Sequence, residues 1–203
     1  MELTILGASG ATGRELVQQA LVRGHRVLAV ARDPAKIAGP DAALLQRIKA
    51  DVCDPASLAA AIGPHSVVLS ALGVTDVPGV LNAGAQALVT LKPARILWMG
   101  AFGAGASAEA AGWATRTLLS LMGDRLKDKI AGDTQILNAG GVVFHAGPLS
   151  NGPASDTRRT VTLAQAPRQF FPSRVSRGTV AAAMLDEAEH GRFYSGIVIP
   201  LER

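Results

Sequence analysis

ILGASGATGRELV, residues 5–17, sets three glycines at G-x-x-G-x-x-G spacing between an apolar run and a run of helical period. A strand ends at Leu6, and Gly7 permits a tight turn with backbone angles that other residues avoid. Gly10 lacks a Cβ, so a pyrophosphate can approach the backbone. Gly13 lets the following helix pack close to the sheet. That helix starts at Ala11 and turns its free N–H groups and positive dipole end toward the phosphates, with Ser9 and Thr12 adding hydroxyl donors. A glycine turn placed between strand and helix is what a dinucleotide cradle requires.

Outward from this stretch, apolar runs of strand length alternate with runs of helical period. ELTIL (2–6) is a strand, and residues 11–23 place Leu16, Val17, Ala20 and Leu21 on one helical face. Further strands are expected at 25–31, 45–50, 66–72, 94–100, 141–146 and 192–200, with a small outer strand at 158–164. Helices are expected at 54–62, 79–91, 113–122, 125–138 and 176–190. Asp54 and Pro55 suit the start of the second helix, and Ser176 suits the start of the last. Residues 103–112 and 148–155 read as loops. Continuous Val/Ile/Leu runs imply strands buried on both faces, hence a parallel sheet. The expected class is α/β, a Rossmann-type doubly wound sheet with helices on both faces. It forms one domain over 1–203, in which residues from about 145 to 203 face substrate or partner.

Ala, Gly, Val and Leu dominate the 203 residues, as suits a tightly packed α/β domain. The net charge of +4 is scattered, with only Arg158 and Arg159 adjacent and no basic run interleaved with aromatics. That argues against nucleic acid and is compatible with an anionic small ligand. Cys53 is the single cysteine, so no internal disulfide can form. The four histidines are far apart, and no metal site is expected. No leader-like or membrane-spanning run is seen, and the expectation is a cytoplasmic protein.

ILGASGATG, AVARDP (29–34), ADVCDPASL (50–58), SALG (70–73) and, more weakly, SRGTVAAAML (176–185) carry a resemblance. The chain resembles atypical short-chain dehydrogenases/reductases, in particular the NAD(P)-binding group of NmrA-like proteins and flavin reductase/biliverdin reductase B-like enzymes. The resemblance covers most of the chain. In that group the acid and apolar residue at Asp51-Val52 meet the adenine, and Ser70-Ala71-Leu72-Gly73 lies beside the ribose and pyrophosphate. Asp51 also reads as part of the turn ahead of Asp54.

Arg32 ends the second strand, where an arginine neutralises the 2′-phosphate of NADP and an acid would accept from the ribose of NAD. In the resembled group an arginine here, before a short polar residue and proline, goes with NADP. Arg14 is a second nearby cation. Asp33, twenty positions after Gly13, keeps NAD(H) as the alternative to the preferred NADP(H). Pro34 marks Asp33 instead as the start of a turn.

The usual short-chain reductase uses a Tyr-x-x-x-Lys pair and a serine after the fifth strand. Here the single tyrosine, Tyr194, lies in the last expected strand, and Gly100-Ala101 stands where the serine is expected. Two side chains remain as catalytic candidates. His145 ends the sixth strand at the edge where ligands collect; it is a candidate acid or cofactor neighbour, or else a histidine bonded to backbone. Lys129 falls near a lysine common in the resembled group, although RLKDK reads as the solvated face of a helix. Pro148 is expected beside the nicotinamide. Phe102, Trp113, Phe170 and Phe171 are a candidate apolar wall for substrate. The reading is an NADPH-dependent reductase that passes hydride to a flavin, quinone or other conjugated small-molecule acceptor. The alternative is a non-catalytic NADP(H) sensor of the NmrA type with a protein partner. A nucleotide-sugar epimerase or dehydratase would need the Tyr-Lys pair.

Overall fold

Successive side chains of Glu2–Leu6 point to opposite faces, and Leu3, Ile5 and Leu6 are all fully buried. This first strand, β1, therefore needs a cover on each side. In a computed structural model of the chain, residues 1–39, 43–73, 77–167 and 172–203 are described, without the side chains of 114, 116 and 118. The strands that join β1 are β2 (Arg26–Ala31), β3 (Leu45–Lys49), β4 (Val67–Ser70), β5 (Arg95–Ala101), β6 (Val142–Ala146), β8 (Arg159–Thr162) and β10 (Gly196–Leu201). Their order is β3-β2-β1-β4-β5-β6-β10-β8. Every neighbouring pair is parallel except β10 with β8. The order reverses between β1 and β4, which opens a crevice at the carboxyl edge there.

Helices α1 (Ala11–Val22) and α6 (Arg177–His190) cover one face. There Leu3, Ile5, Leu16, Val17, Val180 and Leu185 share a core. Helices α2 (Pro55–Leu58), α3 (Val80–Leu91) and α5 (Asp124–Asn138) cover the other. There Leu6, Leu58, Val68, Leu81, Leu88 and Ile136 share a second core. The polar exception on that side of β1, Thr4, donates its hydroxyl to the Ala61 carbonyl at 2.9 Å. Helix α4 (Gly112–Ser120) connects β5 to α5.

The doubly wound expectation holds, with three local differences. The helix expected over 54–62 is one turn, Pro55–Leu58, because Ala59 and Ala61 tighten into i→i−3 bonds to Ala56 and Leu58 ahead of Gly63-Pro64. Residues Leu149–Ser150 in the expected loop form a short strand, β7, paired parallel with β9 (Val175–Ser176). The last strand begins at Gly196 rather than 192, because the Arg192 and Phe193 N–H groups are drawn onto the buried Glu187 carboxylate. Both helix starts read from sequence are present: Asp54 accepts from Ala56 N–H and Ser176 from Thr179 N–H.

Candidate active site

Four segments leave the carboxyl edge beside the β1–β4 boundary and line one cavity of about 180 Å3. They are Gly7, Ser9 and Gly10 after β1, Ala31 at the end of β2 with Arg32 beyond it, Ala50–Cys53 after β3, and Ala71–Gly73 after β4. The residues singled out by four separate motifs thus meet in one place. Ala11 begins α1 beside them, while Thr12 and Ser70 are buried behind the cavity wall. The Ser70 hydroxyl has no hydrogen-bond partner among the described residues.

The glycine turn is built by close approach. Gly7 has φ +72°, and a Cβ there would stand 2.9 Å from the Ala71 carbonyl oxygen. A Cβ on Gly13 would overlap the Gly7 carbonyl oxygen and lie 2.8 Å from Ala8 Cα. Gly10 donates its N–H to the Gly7 oxygen at 2.9 Å and is the N-cap of α1, with no side chain to satisfy the first turn. The first-turn N–H groups are therefore left for an anion. Arg14 donates Nε to the Ser9 carbonyl at 2.9 Å, which folds its guanidinium back over the turn.

Arg32 is exposed at the cavity rim and makes no hydrogen bond or ion pair among the described residues. Asp33 is occupied: it accepts from Ala35 N–H at 3.2 Å and faces Lys36 at 3.6 Å, capping the turn at Pro34. Asp51 accepts the Cys53 N–H with one oxygen at 3.0 Å, and Val52 is buried against the cavity. Cys53 is exposed; what burial it has, and then Asp51, raise its thiol pKa, with Arg32 opposing. Asp51 thus serves the turn and lines the cavity at once.

The ends of β5 and β6 are arranged differently. Gly100 and His145 are register partners, and the imidazole lies directly over Gly100. A Cβ on Gly100 would overlap His145 Cδ2 and stand 2.8 Å from Nε2. His145 is 1% exposed and both ring nitrogens are engaged. Nε2 meets Asp133 Oδ2 at 3.1 Å and Nδ1 meets Ser107 Oγ at 2.7 Å. Asp133 Oδ1 accepts Trp98 Nε1–H at 2.9 Å. A carboxylate only accepts, so Nε2–H points toward Asp133; the Ser107 hydroxyl, next to Nδ1, is also within 3.1 Å of the Ala104 carbonyl, which it can serve as donor. Serine, histidine and aspartate in a row do not make a hydrolase here. Ser107 is fully buried, and its oxygen accepts the Gly103 N–H at 2.8 Å.

Sequence reading placed His145 correctly at the end of its strand; the alternative of a ring bonded to backbone gives way to one bonded to the side chains of Ser107 and Asp133. The solvated reading of RLKDK holds for Lys127, which is exposed and paired with Asp124 at 2.7 Å. It fails for Lys129, which is buried with Gly132, Asp133 and Ile136 on the inner face of α5. Burial holds the Lys129 ammonium below the ordinary lysine pKa, against the opposing pull of Asp133 and Asp128. Ser107, Asp133 and Trp98 were missed. The available signal was the i, i+4 spacing of Lys129 and Asp133 in line with Ile136, which puts charge on an apolar stripe. Pro148 is exposed beyond β6, and its carbonyl accepts Val175 N–H at 3.1 Å. Of the candidate apolar wall, Phe102 is buried, Trp113 is largely exposed, and Phe170 and Phe171 lie outside the described residues. Tyr194 is fully exposed at the amino edge, beside Pro93 and Gly140, at the opposite end of the strands from the glycine turn. Among the described residues no cluster of three metal-ligating side chains occurs, and no helix is long and apolar enough to cross a membrane.

A family model described as NAD(P)H-binding matches residues 7–191. The chain is 44% identical over 81 residues to the chloroplastic divinyl chlorophyllide a 8-vinyl-reductase of Zea mays. That stretch is 35% of this chain and only 20% of the relative. Among solved structures it is similar to ChuY, an anaerobilin reductase of Escherichia coli, with a TM-score of 0.80 and 19% identity over 100% of this chain and 97% of that one. It is also similar to a candidate NADH-flavin reductase of Streptococcus pneumoniae, with a TM-score of 0.75 and 20% identity over the whole of both chains. At such identities these two likenesses show the fold alone. The resemblance to atypical short-chain dehydrogenases/reductases agrees with the family match, and the chain belongs to the NAD(P)H-binding family.

Proposed function

We propose that this chain is an NADPH-dependent reductase that delivers hydride to a flavin, quinone or other conjugated acceptor without a Tyr-Lys pair. The dinucleotide fit rests on the glycine cradle, which side chains at Gly7 and Gly13 would fill, and on the uncapped first turn of α1. When bound, the nucleotide supplies hydride from its nicotinamide. Arg32, with its guanidinium unengaged, is assigned to the 2′-phosphate; Asp33, spent on its turn, is not left to select NAD. Asp51 and Val52 are assigned to the adenine. The cavity, at about 180 Å3, is smaller than the roughly 300–1,000 Å3 of common ligand pockets, so it encloses one end of a dinucleotide. The other end is assigned to the open edge at Gly100 and Pro148.

The observation that carries the reductase reading is the state of the acid positions around that edge. Gly100 brings no hydroxyl, His145 is sealed below the surface with both nitrogens engaged, and Tyr194 stands at the opposite edge. Such a site suits acceptors that spread negative charge over a conjugated system and take their proton from solvent or from Lys129. The names of the similar proteins, an anaerobilin reductase and a candidate NADH-flavin reductase, support an acceptor of this kind.

The test is NADPH oxidation by the purified protein with flavins, quinones and simple aldehydes, beside calorimetric titration of NADPH and NADH. Turnover with a flavin or quinone but not with aldehydes is expected. Tight NADPH binding without turnover of any acceptor would instead favour the sensor. Arg32→Ala is expected to weaken NADPH about 10- to 100-fold, the worth of a charged hydrogen bond, and to leave NADH unchanged. An equal loss for both nucleotides would remove Arg32 from the 2′-phosphate.

A further inference from the structure

Residues 147–178 carry five arginines and a single acid, Asp156. The rest of the chain is balanced, with fifteen basic and fifteen acidic residues, so the net charge of +4 lies wholly in this segment. The segment follows β6 at the carboxyl edge. Charge of one sign gathered beside a ligand edge raises the local concentration of ligands of the other sign.

The arginines differ in what they touch. Arg158 is spent on Asp186, at 3.0 Å, and Arg159 gives Nε to the Arg203 carbonyl at 2.9 Å. Arg168 lies outside the described residues. Arg174 is exposed and makes no hydrogen bond or ion pair among the described residues. Arg177 is partly exposed and meets a neutral group, giving Nη1 to Asn151 Oδ1 at 2.8 Å. Between them in the chain, Ser176 gives its N–H to Glu202 at 2.7 Å, and that carboxylate forms no ion pair with either arginine. The frame that carries the two is braced. Strand β9 pairs with β7 so that Leu149 faces Val175, which sets Arg174 beside Pro148, and the Pro148 carbonyl accepts Val175 N–H at 3.1 Å. A Cβ on Gly147 would overlap the Ser173 carbonyl oxygen, and one on Gly178 would stand 2.6 Å from the Gly152 oxygen. The stretch Pro148–Asn151 therefore has an arginine at each end, Arg174 at its start and Arg177 at its finish.

We infer that Arg174, with Arg177 beside it, is a site for an anionic substituent of the acceptor, a phosphate or carboxylate carried on the conjugated system that takes hydride. The inference deepens the reductase reading and rests on it for the place of the nicotinamide at Gly100 and Pro148. A guanidinium is a planar fork of N–H donors that matches either oxyanion. Arg174 has its whole fork open. Arg177 has one donor on Asn151, which holds it in place and leaves the others. The 2′-phosphate assigned to Arg32 does not reach this site: β2 and β6 are four strand spacings apart, roughly 19 Å. The carboxyl edge thus has one cationic group for each end of the reaction complex.

The test compares acceptors that differ only in the anionic group, on the whole protein. Flavin mononucleotide against riboflavin tests a phosphate, and a linear tetrapyrrole dicarboxylate against its dimethyl ester tests a carboxylate. Binding is titrated by fluorescence or absorbance with NADP+ present in excess, where no hydride can move, and NADPH oxidation is measured in parallel. The anionic member of at least one pair is expected to bind about tenfold more tightly than its neutral partner, the worth of a charged hydrogen bond. Arg174→Ala is expected to remove that advantage and to leave the affinities for the neutral member and for NADPH unchanged. Arg174→Lys should keep part of it, and Arg177→Ala should reduce it by a smaller factor. Equal binding within both pairs, no binding of any of the four, or an advantage that survives loss of both arginines would overturn the inference. A fall in NADPH affinity in Arg174→Ala would give this arginine to the nucleotide and overturn it as well. If the anionic acceptor is preferred through Arg174 while none is reduced, the anion site stands and the reductase reading falls.

Discussion

Gly13→Ala is expected to abolish measurable NADPH binding and to lower stability by about 3 kcal/mol, the upper end for overpacking a tight site. The added methyl would overlap the Gly7 carbonyl oxygen and press on Ala8 Cα, both backbone atoms that no rotamer change can move. Relief by shifting Gly7 is blocked in turn, because Gly7 packs against the Ala71 carbonyl at the end of β4. The helix must instead tilt away from β1, which takes the first-turn N–H groups out of line with the turn. For a chain of this length the melting temperature should drop by about 10 °C. Gly10→Ala is the informative companion. Its Cβ would meet only the Gly7 oxygen, at 3.2 Å, so stability should fall by less than about 1 kcal/mol while nucleotide affinity still falls, because the methyl occupies the line of approach to the backbone. Thermal melts and calorimetric titrations on the two variants separate these effects. Wild-type NADPH affinity in Gly13→Ala would show that the turn does not hold the phosphates.

That contrast shows why the first half of the site was legible in the sequence. A glycine turn, a strand-end arginine and an Asp-Val pair each signal through residue type at a position relative to a strand, and the parallel sheet then delivers all the strand ends to one edge. Gly13 is forced by backbone contacts within the motif itself and Gly7 by its positive φ, so their spacing carries the geometry, while the approach of Ala71 to Gly7 is contributed by β4. The other half depends on contacts between distant segments. Nothing local to Ser107 announces that a histidine 38 positions later will reach it, nor that Asp133 will serve Trp98. A two-residue strand such as β7 has no period to detect. Lys129 was misread because a charged pentad reads as solvated, whereas its phase along α5 with Asp133 and Ile136 decides its burial.

Gly100→Ser restores the hydroxyl that the usual short-chain reductase carries at this position, and it is expected to damage the protein rather than improve it. The new Cβ would overlap the His145 ring, and Val143 stands 3.0 Å away on the same side, so the imidazole must move. Moving it breaks the bonds to Ser107 and Asp133 together and leaves buried polar atoms unsatisfied, each at about 1–3 kcal/mol. A loss of about 3–4 kcal/mol follows from one methyl-sized clash plus one orphaned partner. His145→Ala alone also destabilises, because Asp133 loses a donor. The two changes are not additive: once the ring is gone only Val143, 3.0 Å from the new Cβ, still presses on the serine, and adding Gly100→Ser to His145→Ala is expected to cost less than about 1.5 kcal/mol, well under its cost alone. Denaturant unfolding of the two single variants and the double variant measures this coupling. Additive losses would mean that Gly100 is small for some reason other than the imidazole above it. A coupling of the expected size would mean that glycine at 100 and histidine at 145 are one structural choice: the buried ring takes the space in which the usual enzyme places its serine.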